Sequence, residues 1–82
     1  MSDEKKAVKA FIVENFLFGE GDDLRDETSF LDEGIVDSTG ILELVDFIEE
    51  KFNITVDDDD LVPENLDSIN KVVNYIRGKK GR

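Results

Sequence analysis

Residues 37 to 52 read Asp-Ser-Thr-Gly-Ile-Leu-Glu-Leu-Val-Asp-Phe-Ile-Glu-Glu-Lys-Phe and carry the most regular pattern of the chain. At 100° per residue, five apolar side chains of this stretch fall on one side of a helix. They are Ile41, Leu44, Val45, Ile48 and Phe52. Acidic side chains fall on the opposite side, with Leu42 and Phe47 between the two. The pattern predicts an amphipathic helix over residues 38–52.

Asp37 and Ser38 stand where this helix begins, and both residue types are favoured N-terminal caps. A second interpretation makes Ser38 a covalent attachment point. The N-terminus of a helix offers unpaired backbone N–H groups and the positive end of the helix dipole, which would stabilise a phosphodiester on Ser38. Asp37 would then help to recruit a basic enzyme or a divalent cation. The local pattern leaves the cap and the attachment point both open.

Three further helical segments are expected along the chain. They cover residues 3–18, residues 57–62 and residues 67–77. Gly19 would end the first, Pro63 the second and Gly78 the third, because glycine and proline interrupt helical backbone. Asp67 is a suitable cap for the last helix. Residues 53–56 have a strand-like composition but no second run to pair with, so we expect an extended link there.

The first loop, residues 19–37, is long for a compact domain unless the loop is functional or pinned. It carries five apolar residues that can anchor it in the core. They are Leu24, Phe30, Leu31, Ile35 and Val36. Gly34 is expected at a backbone angle that other residues resist. The six phenylalanines of the chain are best explained as core, because each buries a large apolar area.

The chain has 82 residues, which suit one domain over residues 1–82. It contains no cysteine and no histidine. Disulfides, a cysteine-based zinc site and a Ser-His hydrolase are therefore excluded. The sequence shows no signal peptide and no apolar stretch near the roughly 20 residues of a membrane-spanning helix. We expect a cytoplasmic protein without catalytic residues, with residues 79–82 as a frayed tail.

The formal net charge is -11, and the charge is unevenly placed. Between Glu14 and Asp67 the sequence has 19 acidic residues against two basic ones. Such a chain repels nucleic acid and anionic membranes, and its middle suits a basic protein partner. The four aspartates at residues 57–60 do not make a calcium loop, because an EF-hand needs glycine and glutamate where this chain has Val62 and Ser68. We expect no metal site.

Three segments around Ser38 resemble acyl carrier proteins. They are Gly34-Ile35-Val36-Asp37-Ser38-Thr39, Leu42-Glu43-Leu44-Val45 and Ile48-Glu49-Glu50-Lys51-Phe52. The link at residues 52–58 is similar to that family's passage from its second to its third helix. The resemblance covers nearly the whole chain. It implies the family's all-α four-helix bundle, with three longer helices, one short helix and a long first loop.

The resemblance implies that a phosphopantetheinyl transferase attaches 4′-phosphopantetheine from coenzyme A to Ser38, which makes the chain a phosphoprotein. The thiol of that arm would carry acyl or aminoacyl groups as thioesters in fatty acid or secondary metabolite biosynthesis. Further implied partners are an acyl- or amino-acid-activating (adenylating) enzyme and acyltransferases or synthases. By the same analogy, partners dock on Asp37, Glu43, Asp46, Glu49 and Glu50. The protein would be a monomer and not an enzyme.

Thr39 and Gly40 depart from the pattern of the fatty-acid carriers. In those proteins the residue after the serine is usually Leu or Ile, and the next residue is often acidic. These departures favour a specialised stand-alone carrier that serves acyl- or amino-acid-activating enzymes over the housekeeping carrier. The alternative function is a small acidic helical adaptor, which binds a basic partner without covalent modification and uses Ser38 as a cap or a phosphorylation site.

Overall fold

The structure, a computed structural model, describes residues 3–17, 19 and 24–80, with Ser38 described through its backbone. Four α-helices follow one another along the chain. They are α1 (Asp3–Phe16), α2 (Ser38–Phe52), α3 (Pro63–Leu66) and α4 (Ile69–Lys80), with a 3-10 turn at Asp58–Asp60. No strand occurs within these described ranges. The predicted all-α fold, with three longer helices and a short one, is confirmed, and so are both ends of α2.

The hydrophobic core lies between the helices, and α4 packs against the three others. The three longer helices bury Val8, Ile12, Leu44, Val45, Ile48, Ile69, Val72, Val73 and Ile76. Of the five apolar residues predicted on one side of α2, Ile41 and Phe52 are only half-buried. Only two of the buried residues come from α1 and three from α2, whereas α4 supplies four. The core is therefore centred on α4, and it needs further apolar groups from the connecting segments.

The first loop supplies three of these groups, Leu24, Phe30 and Val36. Phe30 is the largest fully buried side chain in the described part of the chain. Its backbone carbonyl accepts hydrogen bonds from the N–H groups of Ile35 (2.8 Å) and Val36 (3.3 Å), which turn the chain toward the start of α2. Gly34 has the predicted left-handed backbone, with a φ of 68°. The loop is thus pinned, as its length and apolar residues indicated.

Asp67 ties this loop to the junction between α3 and α4. Its carboxylate accepts hydrogen bonds from Ser29 Oγ (2.5 Å) and from the N–H of Leu31 (3.0 Å). Its backbone carbonyl accepts a third from the N–H of Phe30 (2.7 Å). The predicted role of Asp67 as the cap of α4 is wrong, because its carboxylate is used to hold a segment that is distant in sequence.

The predicted boundaries near α3 and α4 differ from the structure at Pro63 and at Ser68. Pro63 begins α3 rather than ending a turn. Proline is well suited to the first helical position, because the N–H that it lacks would be unpaired there. At the start of α4, Ser68 Oγ accepts a hydrogen bond from the N–H of Lys71 (3.2 Å), and the Ser68 side chain is buried. Ser68 is therefore the residue that caps α4.

α4 continues past Gly78 to Lys80, so the predicted stop at Gly78 is wrong. Its last turn is held by ion pairs, with Lys79 Nζ 3.4 Å from Asp57 Oδ2 and Lys80 Nζ 3.4 Å from Glu4 Oε2. Cations also suit the negative end of a helix dipole. The first half of the predicted frayed tail is therefore helical, and the rest lies outside the described residues.

The phenylalanines only partly form the core. Phe30 is fully buried, Phe18 lies outside the described residues, and the other four are half-buried. These four are Phe11, Phe16, Phe47 and Phe52. Phe11 stacks on Phe47 with ring centroids 4.3 Å apart and meets Phe16 edge-on at 5.9 Å. This group packs against the core without being fully buried, and it forms an aromatic row along the seam between α1 and α2. That row ends at Phe16, where α1 ends two residues earlier than predicted.

Asp67→Ala should lower the free energy of unfolding by about 2 kcal/mol, because two donors of the first loop lose a charged acceptor. Asp59→Ala serves as the control, since Asp59 is exposed on the 3-10 turn and surface substitutions change stability by about 0.5 kcal/mol or less. Urea unfolding followed by circular dichroism measures both. Equal stabilities of the two variants would contradict the role of the Asp67 carboxylate in holding the first loop.

Gly78→Ala should raise the free energy of unfolding by about 1 kcal/mol, because glycine inside a helix loses more backbone entropy than alanine. Among the described residues, no atom outside the nearby backbone of α4 would lie within 4 Å of an added Cβ atom at this position. Thermal unfolding measures the gain. A loss of stability would show that α4 ends before Gly78 in solution.

Candidate functional site

Asp37 caps the N-terminus of α2. Its Oδ1 accepts a hydrogen bond from the N–H of Gly40 (2.8 Å), and its backbone carbonyl accepts one from the N–H of Ile41 (2.9 Å). The backbone of Asp37 is extended, as is usual for an N-cap residue. Ser38 is consequently the first residue of the helix itself. Of the two residues that could cap this helix, the structure assigns the cap to Asp37.

Gly40 lies buried in the first turn of α2, against the end of α1. A Cβ atom on Gly40 would lie 2.8 Å from Cε1 of Phe16 and 2.9 Å from Cγ1 of Val36. Non-bonded carbon atoms prefer separations of about 3.5–4.0 Å. Gly40 therefore makes room for two neighbouring side chains, whereas the sequence indicated only a missing contact and a missing charge. The available signal was a glycine inside a helical turn, which often marks close approach of another group to the backbone.

An apolar groove of about 310 Å³ opens on the other side of this turn, between α2 and α3. It is lined by Leu31, Ile41, Leu42, Leu61, Val62, Pro63 and Leu66. Three of these side chains are well exposed: Leu42 by 55%, Leu31 by 42% and Val62 by 38%. Leu31 thus does not anchor the first loop in the core as predicted, because the bond from its N–H to Asp67 holds it at the rim of the groove. The N-terminus of α2 therefore borders an apolar groove on its α3 side, in addition to the close contact of Gly40 with Phe16 and Val36.

Glu43, Asp46 and Glu50 are exposed and form one acidic face of α2, because residues three and four apart are neighbours on a helix. Asp37 is exposed at the start of the same helix. Glu49 differs from them, since it is half-buried and its Oε2 accepts a hydrogen bond from the N–H of Val56 (2.8 Å). Glu49 therefore fixes the link that follows α2.

The aspartates of residues 57–60 connect the 3-10 turn to α4. Asp60 Oδ2 accepts a hydrogen bond from the hydroxyl of Tyr75 (2.7 Å) and lies 3.9 Å from Lys79 Nζ, which also pairs with Asp57. Burial raises the pKa of the Tyr75 phenol, and the neighbouring Asp60 carboxylate raises it further, so that Tyr75 stays a donor. Among the described residues, no group of three or more acidic side chains is placed to hold a metal ion.

A family described as "Phosphopantetheine attachment site" matches residues 14–76 of the chain. The chain is also similar to proteins named "Acyl carrier protein". That of Desulforapulum autotrophicum is 38% identical over 79 residues, which cover 96% of this chain and 99% of that protein. That of Zymomonas mobilis is 37% identical, with 93% and 94% covered. That of Buchnera aphidicola is 34% identical, with 96% of each covered.

Among solved structures, a chain from "Crystal structure of FAD-dependent dehydrogenase" superposes with a TM-score of 0.75 at 26% sequence identity. The superposition covers 84% of this chain and 97% of that chain. The matched chain is therefore about as small as this one, and the likeness extends over nearly all of it.

Proposed function

The chain belongs to the acyl carrier protein family, and on that premise we propose that Ser38 is the residue that holds its phosphopantetheine arm. The family match over residues 14–76 and the relatives that align over nearly their whole length make the protein a carrier rather than an enzyme. They also imply covalently attached 4′-phosphopantetheine as its cofactor. When attached, the arm supplies a thiol, which this cysteine-free chain lacks.

The observation that carries the proposal is the division of roles at the start of α2. Asp37 makes the cap hydrogen bond, so the capping function does not require Ser38. A group on the first helical residue lies near the unpaired N–H groups and the positive dipole end of the helix, which favour a phosphate. Asp37 and Thr39 on either side are exposed, so that a modifying enzyme can approach this turn. The surroundings of Ser38 fit the arm.

We propose an acyl or aminoacyl thioester as the cargo, loaded by an adenylating enzyme and passed to acyltransferases or synthases. The family in general works with a phosphopantetheinyl transferase and with such enzymes, and the names of the relatives support an acyl cargo. Thr39 and Gly40 support a specialised carrier, because Gly40 is committed to a packing contact and cannot present a charge. The competing function is an acidic adaptor that is never modified.

We propose the exposed carboxylates of α2 as the docking surface for these enzymes, with Glu43, Asp46 and Glu50 at its centre and Asp37 beside the attachment point. Glu49 belongs to the predicted set, but its bond to Val56 favours a structural role. A surface of one sign speeds the encounter with a partner of opposite sign and fixes its orientation. The partners would therefore present lysine and arginine side chains to α2.

We propose that residues 1–82 form one carrier domain, which works as a cytoplasmic monomer. None of the helices in the described ranges is long and apolar enough to cross a bilayer. The first and last helices support a single unit, since Glu4 of α1 pairs with Lys80 of α4.

Incubation with coenzyme A, magnesium and a phosphopantetheinyl transferase should add the mass of one phosphopantetheine to the wild-type chain. Ser38→Ala should abolish this gain, because the attachment oxygen is removed. Thr39→Ala is the matched control, since it removes the hydroxyl of the neighbouring exposed residue and should leave the gain intact. Intact-mass spectrometry measures all three.

A wild-type chain that gains no mass would support the unmodified adaptor instead. A gain that survives Ser38→Ala would place the attachment at another residue.

Reversal of Glu43, Asp46 and Glu50 to lysine should slow transferase loading by about tenfold or more at low salt, because electrostatic steering is lost. High salt should slow the wild type toward the variant, since salt screens exposed charges. The control reverses three other exposed acids, Glu14, Asp58 and Asp59, with the same change in net charge. Equal slowing of both variants would show that only total charge matters, not this face of α2.

A further inference from the structure

Gly40 and Phe16 meet where α1 ends and α2 begins. The place of a Cβ atom on Gly40 is 2.8 Å from Cε1 and 3.2 Å from Cζ of the Phe16 ring. We propose that these two residues form a positioning pair, in which the missing side chain of Gly40 lets the Phe16 ring seat the first turn of α2 and thereby sets the position of Ser38 for modification. The inference rests on Ser38 as the attachment residue.

Side chains of α1 and of the first loop pack beside Gly40 and the half-buried Phe16 ring, which also line an open cavity of about 270 Å³. Phe16 meets Phe11 edge-on at 5.9 Å, and Phe11 is itself stacked on Phe47 of α2 at 4.3 Å. On the other side of Gly40 stands Val36, which is 1% exposed and would lie 2.9 Å from the added Cβ atom. A side chain on Gly40 must therefore displace both the Phe16 ring and the Val36 side chain, or shift the start of α2.

A side chain on Gly40 would also act on the cap of α2. The N–H of Gly40 is the donor to Asp37 Oδ1 in the cap, so a shift of Gly40 also shifts the cap bond. Ser38 lies between these two bonded residues in sequence. The position of Ser38 is consequently set twice, by the cap hydrogen bond on one side and by the packing of Gly40 against Phe16 on the other. A displacement of ~1 Å in a reacting group can slow a reaction by up to about 100-fold.

The test is a double-mutant cycle on transferase loading with four chains: wild type, Gly40→Ala, Phe16→Ala and the double variant. Gly40→Ala should lower kcat for loading by about tenfold with KM changed less than about twofold, because the docking face of α2 is untouched. In the Phe16→Ala background, Gly40→Ala should lower kcat by a clearly smaller factor, because the contact with the ring is absent and only the contact with Val36 Cγ1 remains. Rates are read by intact mass.

Gly78→Ala is the matched control, since it makes the same substitution in a helix where no described atom outside the nearby backbone of α4 lies within 4 Å of the added atom. It should be loaded at the wild-type rate. Melting temperatures are measured on all chains, and a purely structural role predicts that loading follows stability. The positioning role predicts that the double variant is loaded faster than Gly40→Ala although it lacks the Phe16 ring.

The pair is overturned if Gly40→Ala loads like wild type, or if it slows loading equally in both backgrounds. If Gly40→Ala alone fails to fold, the double variant must fold and load, because the clash with the Phe16 ring has been removed and only the contact with Val36 is left. Failure of both variants also overturns the pair. A wild-type chain that is never loaded refutes the attachment at Ser38 instead, so the two failures are distinguishable.

Discussion

The hydrogen bonds of Asp67 hold the first loop, and the rest of the fold depends on that attachment. α1 buries only two side chains, so three helices alone would leave the core incomplete. The loop completes it with Leu24, Phe30 and Val36. The backbone of Phe30 is fully hydrogen-bonded: its N–H donates to the carbonyl of Asp67, and its carbonyl accepts from the N–H groups of Ile35 and Val36. Phe30 can therefore be buried, because a buried backbone group without a partner would cost free energy.

This attachment also fixes where α2 begins. The bonds from Ile35 and Val36 to Phe30 turn the chain, and Asp37 follows directly as the cap. Three hydrogen-bond acceptors therefore follow one another toward α2. The carbonyl of Asp67 accepts from the N–H of Phe30, and the carbonyl of Phe30 accepts from the N–H of Val36. The carboxylate of Asp37 accepts from the N–H of Gly40. A domain of 82 residues buries a smaller fraction of its unfolded surface than a large domain does, about 60%. In such a domain, this chain of hydrogen bonds positions the backbone of Ser38 without a larger core.

The parts of this arrangement that follow from local pattern were predictable from the sequence. α2 was predicted with both ends, because its apolar spacing and Asp37 are local signals. Ser68 and Asp67 were not assigned correctly, because both residue types suit a cap and only the distant Ser29 and Leu31 decide which one is used elsewhere. The end of α4 was also missed, since ion pairs to α1 and to the 3-10 turn extend it past Gly78.

The same distinction applies at the candidate site. Ser38 was predicted as the attachment residue through the resemblance to acyl carrier proteins, and the acidic face of α2 was predicted from helical spacing. The role of Gly40 could not be predicted, because it depends on close contact with the ring of Phe16, which is 24 positions earlier in the sequence. Glu49 is the opposite case. Helical spacing predicts it beside the acidic face, but its carboxylate accepts a hydrogen bond from the N–H of Val56, which favours a structural role.

The two flanks of α2 therefore offer a partner different surfaces. Phe47, on the flank toward α1, is covered by the stacked ring of Phe11, whereas Leu42, on the flank toward α3, is 55% exposed beside an open groove. A partner that engages the acidic row can thus bury apolar area on the α3 side alone. Burial of such area stabilises a complex by about 25 cal/mol per Å² before the costs of association. On the docking surface proposed above, this asymmetry would direct a partner along the α3 flank of α2 toward Ser38.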